Sequence, residues 1–299
     1  MSEWPPPRHA LLPDGRLHLS DGPIDLILGI EGTRLAILEA REVAKRALSG
    51  LLPALAAELA VLRAPLLGRM PVLQHPAAQR MAEATWPHRR HFITPMAAVA
   101  GAVAEHVLRG IAAVRGLDLA YVNNGGDIAL HLSPASTLRV GLMENPEALT
   151  PDGVAVIRGV DEVRGIATSG WRGRSFSRGI ADAVTVLAVR APEADAAATI
   201  IANAVDADHA AVQRRPADEI DPDSDLRDLP VTIGVLPLPE AVAEFALNSG
   251  ERCAEDMLTR GLILGACLRL QGRVRMVGAA GSLATIAPVP ALRDMLPGE

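Results

Sequence analysis

Aromatic residues are scarce: three tryptophans, three phenylalanines and one tyrosine make up 2% of the 299 residues. The core must therefore be filled by Ala, Val, Leu and Ile, and the apolar total of 49% is ordinary for a globular chain. Two cysteines, Cys253 and Cys267, fit no disulfide framework or zinc site, and their apolar, helix-like contexts predict buried thiols. Lysine occurs once, at Lys45, so positive charge is almost wholly arginine. Basic charge is not in excess either: a formal net charge of -6 argues against a nucleic-acid binder, whose phosphate contacts need a basic face. No uninterrupted apolar run reaches the ~18 residues of a membrane span. Met1 to Arg16, broken by Pro5, Pro6 and Pro7, lacks the apolar stretch of a secretory or lipid-attachment segment. The expectation is a cytoplasmic protein, one domain over residues 1–299 or two closely packed halves, whose partner is a small molecule or another protein.

Strand-like and helix-like stretches alternate, which predicts an α/β (α+β) fold. Arg16 to Leu19 and Ile24 to Ile30 read as a hairpin around Ser20-Asp21-Gly22-Pro23. Thr33 to Arg63 has helical periodicity interrupted near Gly50 and Pro53, and Ala77 to Ala84 is a further helix. Thr94-Pro95 reads as a cap followed by proline at the first helical position, opening a helix to about Val114. Its run of Ala97, Ala98, Ala100, Gly101 and Ala102 would admit a neighbouring backbone, a flat ligand or a second copy of the chain. Strands follow at Leu117–Val122, Ile128–Leu132, Leu138–Met143, Val154–Ile157, Gly165–Thr168 and Ala183–Val189, then a helix from Glu193 to Val205. The last third reads as a strand at Val231–Leu236, two helices (Pro239–Leu247 and Arg252–Leu264) and a strand at Arg273–Val277. Asp218 to Asp228 mimics the start of a calcium loop, but Leu226 and Thr232 stand where the turn glycine and bidentate glutamate belong, so a solvated linker is expected. His88 and His91, around Arg89 and Arg90, likewise read as a solvated cluster.

Three segments carry candidate chemistry. Asn123-Asn124-Gly125-Gly126-Asp127 joins two strands; its glycines allow positive φ and leave main-chain N–H groups open to a ligand, and the same residues are a strong hairpin signal. Gly165-Ile166-Ala167-Thr168-Ser169-Gly170 is a strand that runs into Trp171-Arg172-Gly173-Arg174-Ser175-Phe176-Ser177, a loop rich in hydroxyl and guanidinium donors suited to phosphate oxygens. In Ala194-Asp195-Ala196-Ala197-Ala198-Thr199, the carboxylate and the hydroxyl stand four apart on one helical face, where they can hold a hard cation or, for Asp195, simply complement the helix dipole.

Taken together and in this order, the three segments resemble the ApbE family, the FAD:protein FMN transferases. There an Asn-x-Gly-Gly-Asp turn, an Ala-Thr-Ser-Gly strand end and an Ala-Asp-Ala-x-x-Thr helix recur, with a Val-Thr-Val strand like Val184-Thr185-Val186. The resemblance implies an ApbE-like fold of mixed or antiparallel sheets packed with helices. It also implies FAD or FMN as a nucleotide-type ligand, bound by Asn123, Asn124, Gly125, Gly126, Asp127, Thr168, Ser169, Gly170, Arg172, Arg174, Ser175 and Ser177. Mg²⁺ would be held by Asp195, Thr199 and the Ala167 carbonyl. The transferases carry a His-x-x-Asp-Pro-x-Thr-Gly segment after Thr-Ser-Gly; here that interval holds only Trp171 to Ala183 and no histidine. This short Arg-Ser-Phe-Ser-x-Gly-Ile-Ala-Asp-Ala form, with Thr94-Pro95-Met96-Ala97-Ala98-Val99-Ala100-Gly101, resembles a cytoplasmic, uncharacterised ApbE-like branch.

Two readings remain open on the sequence. One is an Mg²⁺-dependent phosphoryl-type or FMN transfer, which positioning and charge neutralisation suffice to drive. The other is a flavin carrier or sensor without turnover, since the histidine segment is missing.

Overall fold

Alternating burial shows why the first long strands pair as they do. The computed structural model, which describes residues 5–143, 151 and 153–278, opens with β1 (Arg8–Leu11), β2 (Leu17–Asp21) and β3 (Ile24–Gly32). Leu17, Leu19, Leu26 and Leu28 point to one face and are buried, while the residues between them are half-exposed. β1 carries no such pattern, being exposed throughout, and lies in the proline-broken stretch where no strand is expected; Met1 to Trp4 of that stretch lie outside the described residues.

Next come α1 (Arg34–Leu48), α2 (Leu51–Ala57), α3 (Leu59–Leu62) and α4 (Pro76–Thr85). Gly50 ends α1 at a φ of 78°. Thr94 does not cap with its side chain; its hydroxyl donates to Asp225 Oδ2 at 2.5 Å, and a 3₁₀ turn over Pro95–Ala98 leads into α5 (Val99–Ile111). The acidic loop is thus tied down at Asp225 rather than wholly solvated. His88 is buried too, and burial pushes its imidazole down to about 4, so only His91 of that pair is solvent-exposed.

β4 (Leu117–Asn124), β5 (Asp127–Leu132), β6 (Thr137–Leu142), β7 (Gly153–Arg158), β8 (Gly165–Ser169) and β9 (Ala183–Ala188) follow, then α6 (Ala191–Ala204), β10 (Val212–Pro216) and β11 (Pro230–Val235). The chain continues through α7 (Glu240–Thr259), β12 (Gly265–Leu270) and β13 (Arg273–Gly278). Two corrections fall here. The two expected helices are one, α7, because Gly250 packs against Val205 and Leu268 with no room for a Cβ; it is a contact residue, not a break. Cys267 lies in a strand, β12, and not a helix, although it is buried as expected.

Nine strands form one sheet in the order β1-β2-β3-β4-β5-β8-β9-β12-β13, with antiparallel neighbours throughout, so the mixed-sheet alternative falls away for the antiparallel one. On one face, Val122, Ala129, Ala167, Val184, Val186 and Leu268 pack beneath the helices. On the other, Leu119, Ile128, Leu130, Ile166 and Leu187 form a second core with Leu142, Ala155 and Ile157 of the β6–β7 hairpin. Each fully buried Leu or Ile contributes roughly 1.5–3 kcal/mol by leaving water. Among the described residues no helix is long and apolar enough to cross a membrane.

Small residues set how close the helices come. An added Cβ at Gly101 of α5 would lie 2.5 Å from the Ala191 carbonyl of α6, and Gly165 of β8 is pressed as tightly against Arg190 and Ala191. The small-residue run in α5 therefore admits a backbone.

Candidate functional site

The β4–β5 turn, the first residues of α5, the end of β8 and the second turn of α6 converge. In the turn, Asn124 and Asp127 are cross-strand partners, and Gly125 and Gly126 take φ values of 66° and 117°, which a two-residue turn of this hand requires. Asn123 Oδ1 accepts from the Gly126 N–H at 2.8 Å. Asn124 Nδ2 donates to the Ala100 carbonyl at 3.2 Å, docking the turn on α5. Both asparagines thus build the turn.

Asp127 Oδ1 accepts from the Thr168 N–H at 3.2 Å, which joins the first two sequence segments across 41 positions. The last β5–β8 pair is Ile128 with Ile166, so one step further Asp127 and Ala167 stand opposite each other on the helix-packed face. Thr168 turns to the other face, with its hydroxyl 2.9 Å from that of Thr185. Ser169 ends β8 opposite Val184. Gly170 leaves no space for a side chain, since an added Cβ would lie 2.5 Å from the Asp182 carbonyl.

Asp195 Oδ2 accepts from the Gly101 N–H at 3.0 Å. Gly101 is in the first turn of α5, whose N-cap residue, Ala98, offers no side-chain acceptor, so Asp195 caps that helix from α6. The acid in the first turn of α6 itself is Glu193; the dipole role read for Asp195 in its own helix belongs there. Thr199 lies one helical turn further along α6, on the same side as Asp195.

The two carboxyls feel each other. Burial pushes Asp127 up to about 7, against the pull of the Thr168 N–H. Burial first, and the Asp127 charge second, raise Asp195 well above the usual carboxylate range, opposed by the N–H groups of Gly101 and Ala100. Two acids raised in this way favour the protonated form, and a cation that neutralises both would displace their protons. Among the described residues no three His, Cys, Asp or Glu side chains converge, so a cation here would complete its shell with main-chain, hydroxyl, water and ligand oxygens. That donor set suits hard Mg²⁺ and not zinc.

The arginine loop divides. Arg172 Nε donates to Asp182 Oδ1 at 2.8 Å, and its guanidinium carbon lies 4.5 Å from the Trp171 ring centroid. Trp171 Nε1 donates to the same oxygen at 3.1 Å, and the Gln271 N–H bonds Asp182 Oδ2 at 2.5 Å. Arg172 therefore belongs to the framework of the loop. Arg174 instead reaches the glycine turn, its Nη1 3.7 Å from where a Gly125 Cβ would stand, and among the described residues no carboxylate pairs with it. Ser175 is exposed next to it. Ser177 is buried and bonds inward to Asn203 Oδ1 at 3.4 Å.

Asp182 was missed in the sequence because an acid between Ala181 and Ala183 gives no sign of its three partners. Ala100 and Gly101 contribute through main-chain atoms, which no residue type advertises; their small size was the single trace.

A family profile described as AbpE bacteria matches residues 9–276. A UPF0280 protein from Methanospirillum hungatei is 39% identical over 126 residues, 42% of this chain and 49% of the relative. UPF0280 protein MK0206 from Methanopyrus kandleri is 42% identical over 125 residues, 41% of this chain and 48% of the relative. The chain thus spans about half the length of the curated relatives it matches. An ApbE protein from Thermotoga maritima and the apo form of a flavinyl transferase ApbE from Pseudomonas stutzeri each share 12% identity, with a TM-score of 0.46 over 93% of this chain, and 98% and 95% of theirs.

Proposed function

We propose, from the premise that this chain belongs to the AbpE bacterial family, that it binds a flavin nucleotide such as FAD or FMN with Mg²⁺ and transfers a phosphoryl-type group, FMN in the case of FAD. The observation that carries this reading is the Asp127–Asp195 pair, two mutually repelling carboxyls at the glycine turn. Mg²⁺, when bound, supplies charge neutralisation for phosphate oxygens. Asp127 and Asp195 would hold it, with the Ala167 carbonyl and Thr199 as further oxygen donors, and would lose protons on doing so. Arg174 and the N-terminal turn of α5 add positive potential for the phosphates. Gly125 and Gly126 leave the main chain open to a flat ring.

A second reading, binding without turnover, is favoured by one observation: residues 171–183 hold no histidine, and their acid, Asp182, is committed to Arg172 and Trp171. Incubating the protein with FAD and Mg²⁺ and following AMP separates the two. Transfer predicts AMP release that Asp195→Asn abolishes. Mg²⁺-dependent FAD retention without AMP supports the binder, and FAD affinity indifferent to both Mg²⁺ and Asp195→Asn removes both readings.

A further inference from the structure

Beyond the carboxylate pair, around the C-terminal end of α6, lies a separate cleft of ≈ 390 Å³. Its volume is that of a small-molecule site. Phe92, Ile200 and Pro230 give it apolar lining, and Arg178, Arg214 and Asp206 give it charge.

Two guanidinium groups face the cleft and one carboxylate answers them. Asp206 pairs with Arg214. Arg178 makes no ion pair among the described residues, although its charge also acts on Asp206: its main-chain N–H donates to Asn203 Oδ1 at 2.9 Å, and its guanidinium carbon lies 6.0 Å from the Phe92 ring centroid. Its Nε is buried with no hydrogen-bond acceptor. A buried cationic N–H without an acceptor is a standing penalty that native folds rarely carry without a reason. His91 also lines the cleft and adds a further donor. The carbonyls at the end of α6 disfavour an anion, but those of Ala202 and Val205 are taken up by the residues before β9. The Ile180 N–H takes the Val205 carbonyl at 2.8 Å, and Gly179 is pressed against those of Ala202 and Val205.

We propose that this cleft is a second binding site, taking the phosphate or carboxylate group of a small organic anion on Arg178 and Arg214 while the apolar body of the ligand rests on Phe92, Ile200 and Pro230. It is independent of the cation site, since it needs neither Asp127 nor Asp195.

Calorimetric titration of the full chain with phenyl phosphate, benzoate and inorganic phosphate, all without Mg²⁺, tests the site. At least one organic anion should bind, and inorganic phosphate should bind roughly tenfold more weakly for want of an apolar body. The tighter of phenyl phosphate and benzoate identifies the head group. Arg178→Gln should weaken that ligand by about tenfold or more. Asp206→Asn should tighten it, an outcome that a purely structural role for Asp206 does not give. Asp195→Asn should change nothing. If Arg178→Gln fails to fold, Arg214→Gln carries the same expectation. Silence with both organic anions overturns the site, as does equal affinity for inorganic phosphate, unchanged affinity in a folded Arg178→Gln protein, or loss of binding in Asp195→Asn.

Discussion

At the scale of single residues, Asp127 makes the sharpest claim. In an unfolded chain its carboxyl ionises near the ordinary value of ~3.9, whereas in the folded protein burial holds it up to about 7. Between those values the folded state keeps a proton that the unfolded state has lost, so stability falls as pH rises through this window and the loss is complete above it. Asp127→Asn removes the penalty. Its melting temperature should exceed that of the wild type by roughly 2–4 °C at pH 8 and show no gain at pH 4. Thermal unfolding at the two pH values decides this; an equal shift at both would mean that the asparagine acts through packing and not through ionisation. Asp127 also shows what could be read in advance. Its place after Gly125-Gly126 was legible, because only a few turn types accept that pair. Its coupling to Asp195 was not, because nothing in the spacing of residues 127 and 195 says that α6 lies across β8.

At the scale of elements, the contact between α5, β8 and α6 positions the site. Gly101 and Gly165 let the start of α6 press on both, and the Gly101 N–H then meets Asp195. Gly101→Ala puts a Cβ against the Ala191 carbonyl, and overpacking of this kind costs about 1–3 kcal/mol. The variant should melt several degrees lower and lose Mg²⁺-dependent FAD affinity as the cap is displaced. Gly110→Ala, in the last turn of the same helix, meets only the Val43 side chain and no backbone, so it should cost less stability than Gly101→Ala and leave FAD affinity unchanged. Loss of FAD affinity in both variants, or in neither, would break the link between this contact and the site. Most elements were legible: α1 carries clear helical periodicity, and β4, β5 and β9 are short apolar, β-prone runs. β1, β10 and β12 were not. β10 is an arginine-rich strand with no buried stripe, and β12 follows α7 with apolar residues that continue the helical composition. Gly250 misled because the same residue type marks a helix end and a close contact.

At the scale of the whole molecule, the sheet ties distant parts of the chain together. β5 reaches β8 across the β6–β7 hairpin, and β9 reaches β12 across α6, the β10–β11 pair and α7. Composition and alternation foretold strands packed with helices, but not their order, which follows from which faces must be covered and not from any local signal.

The bond from the Gln271 N–H to Asp182 bears on the order in which the protein takes shape. Every residue of the carboxylate pair and its supports has been synthesised by position 199, whereas the arginine loop is pinned by a residue near the end of the described chain. During synthesis, which proceeds from the N-terminus, the acidic pair can assemble while the Trp171–Arg172 loop still waits for β12. Non-local pairing of this kind is slow to form. In refolding from denaturant, indole fluorescence altered by Trp171 docking should therefore lag behind the recovery of far-ultraviolet circular dichroism. Asp182→Ala, which removes the acceptor shared by Trp171, Arg172 and the Gln271 N–H, should remove that late phase and leave the early one in place; simultaneous recovery of both signals in the wild type would mean that the two parts mature together.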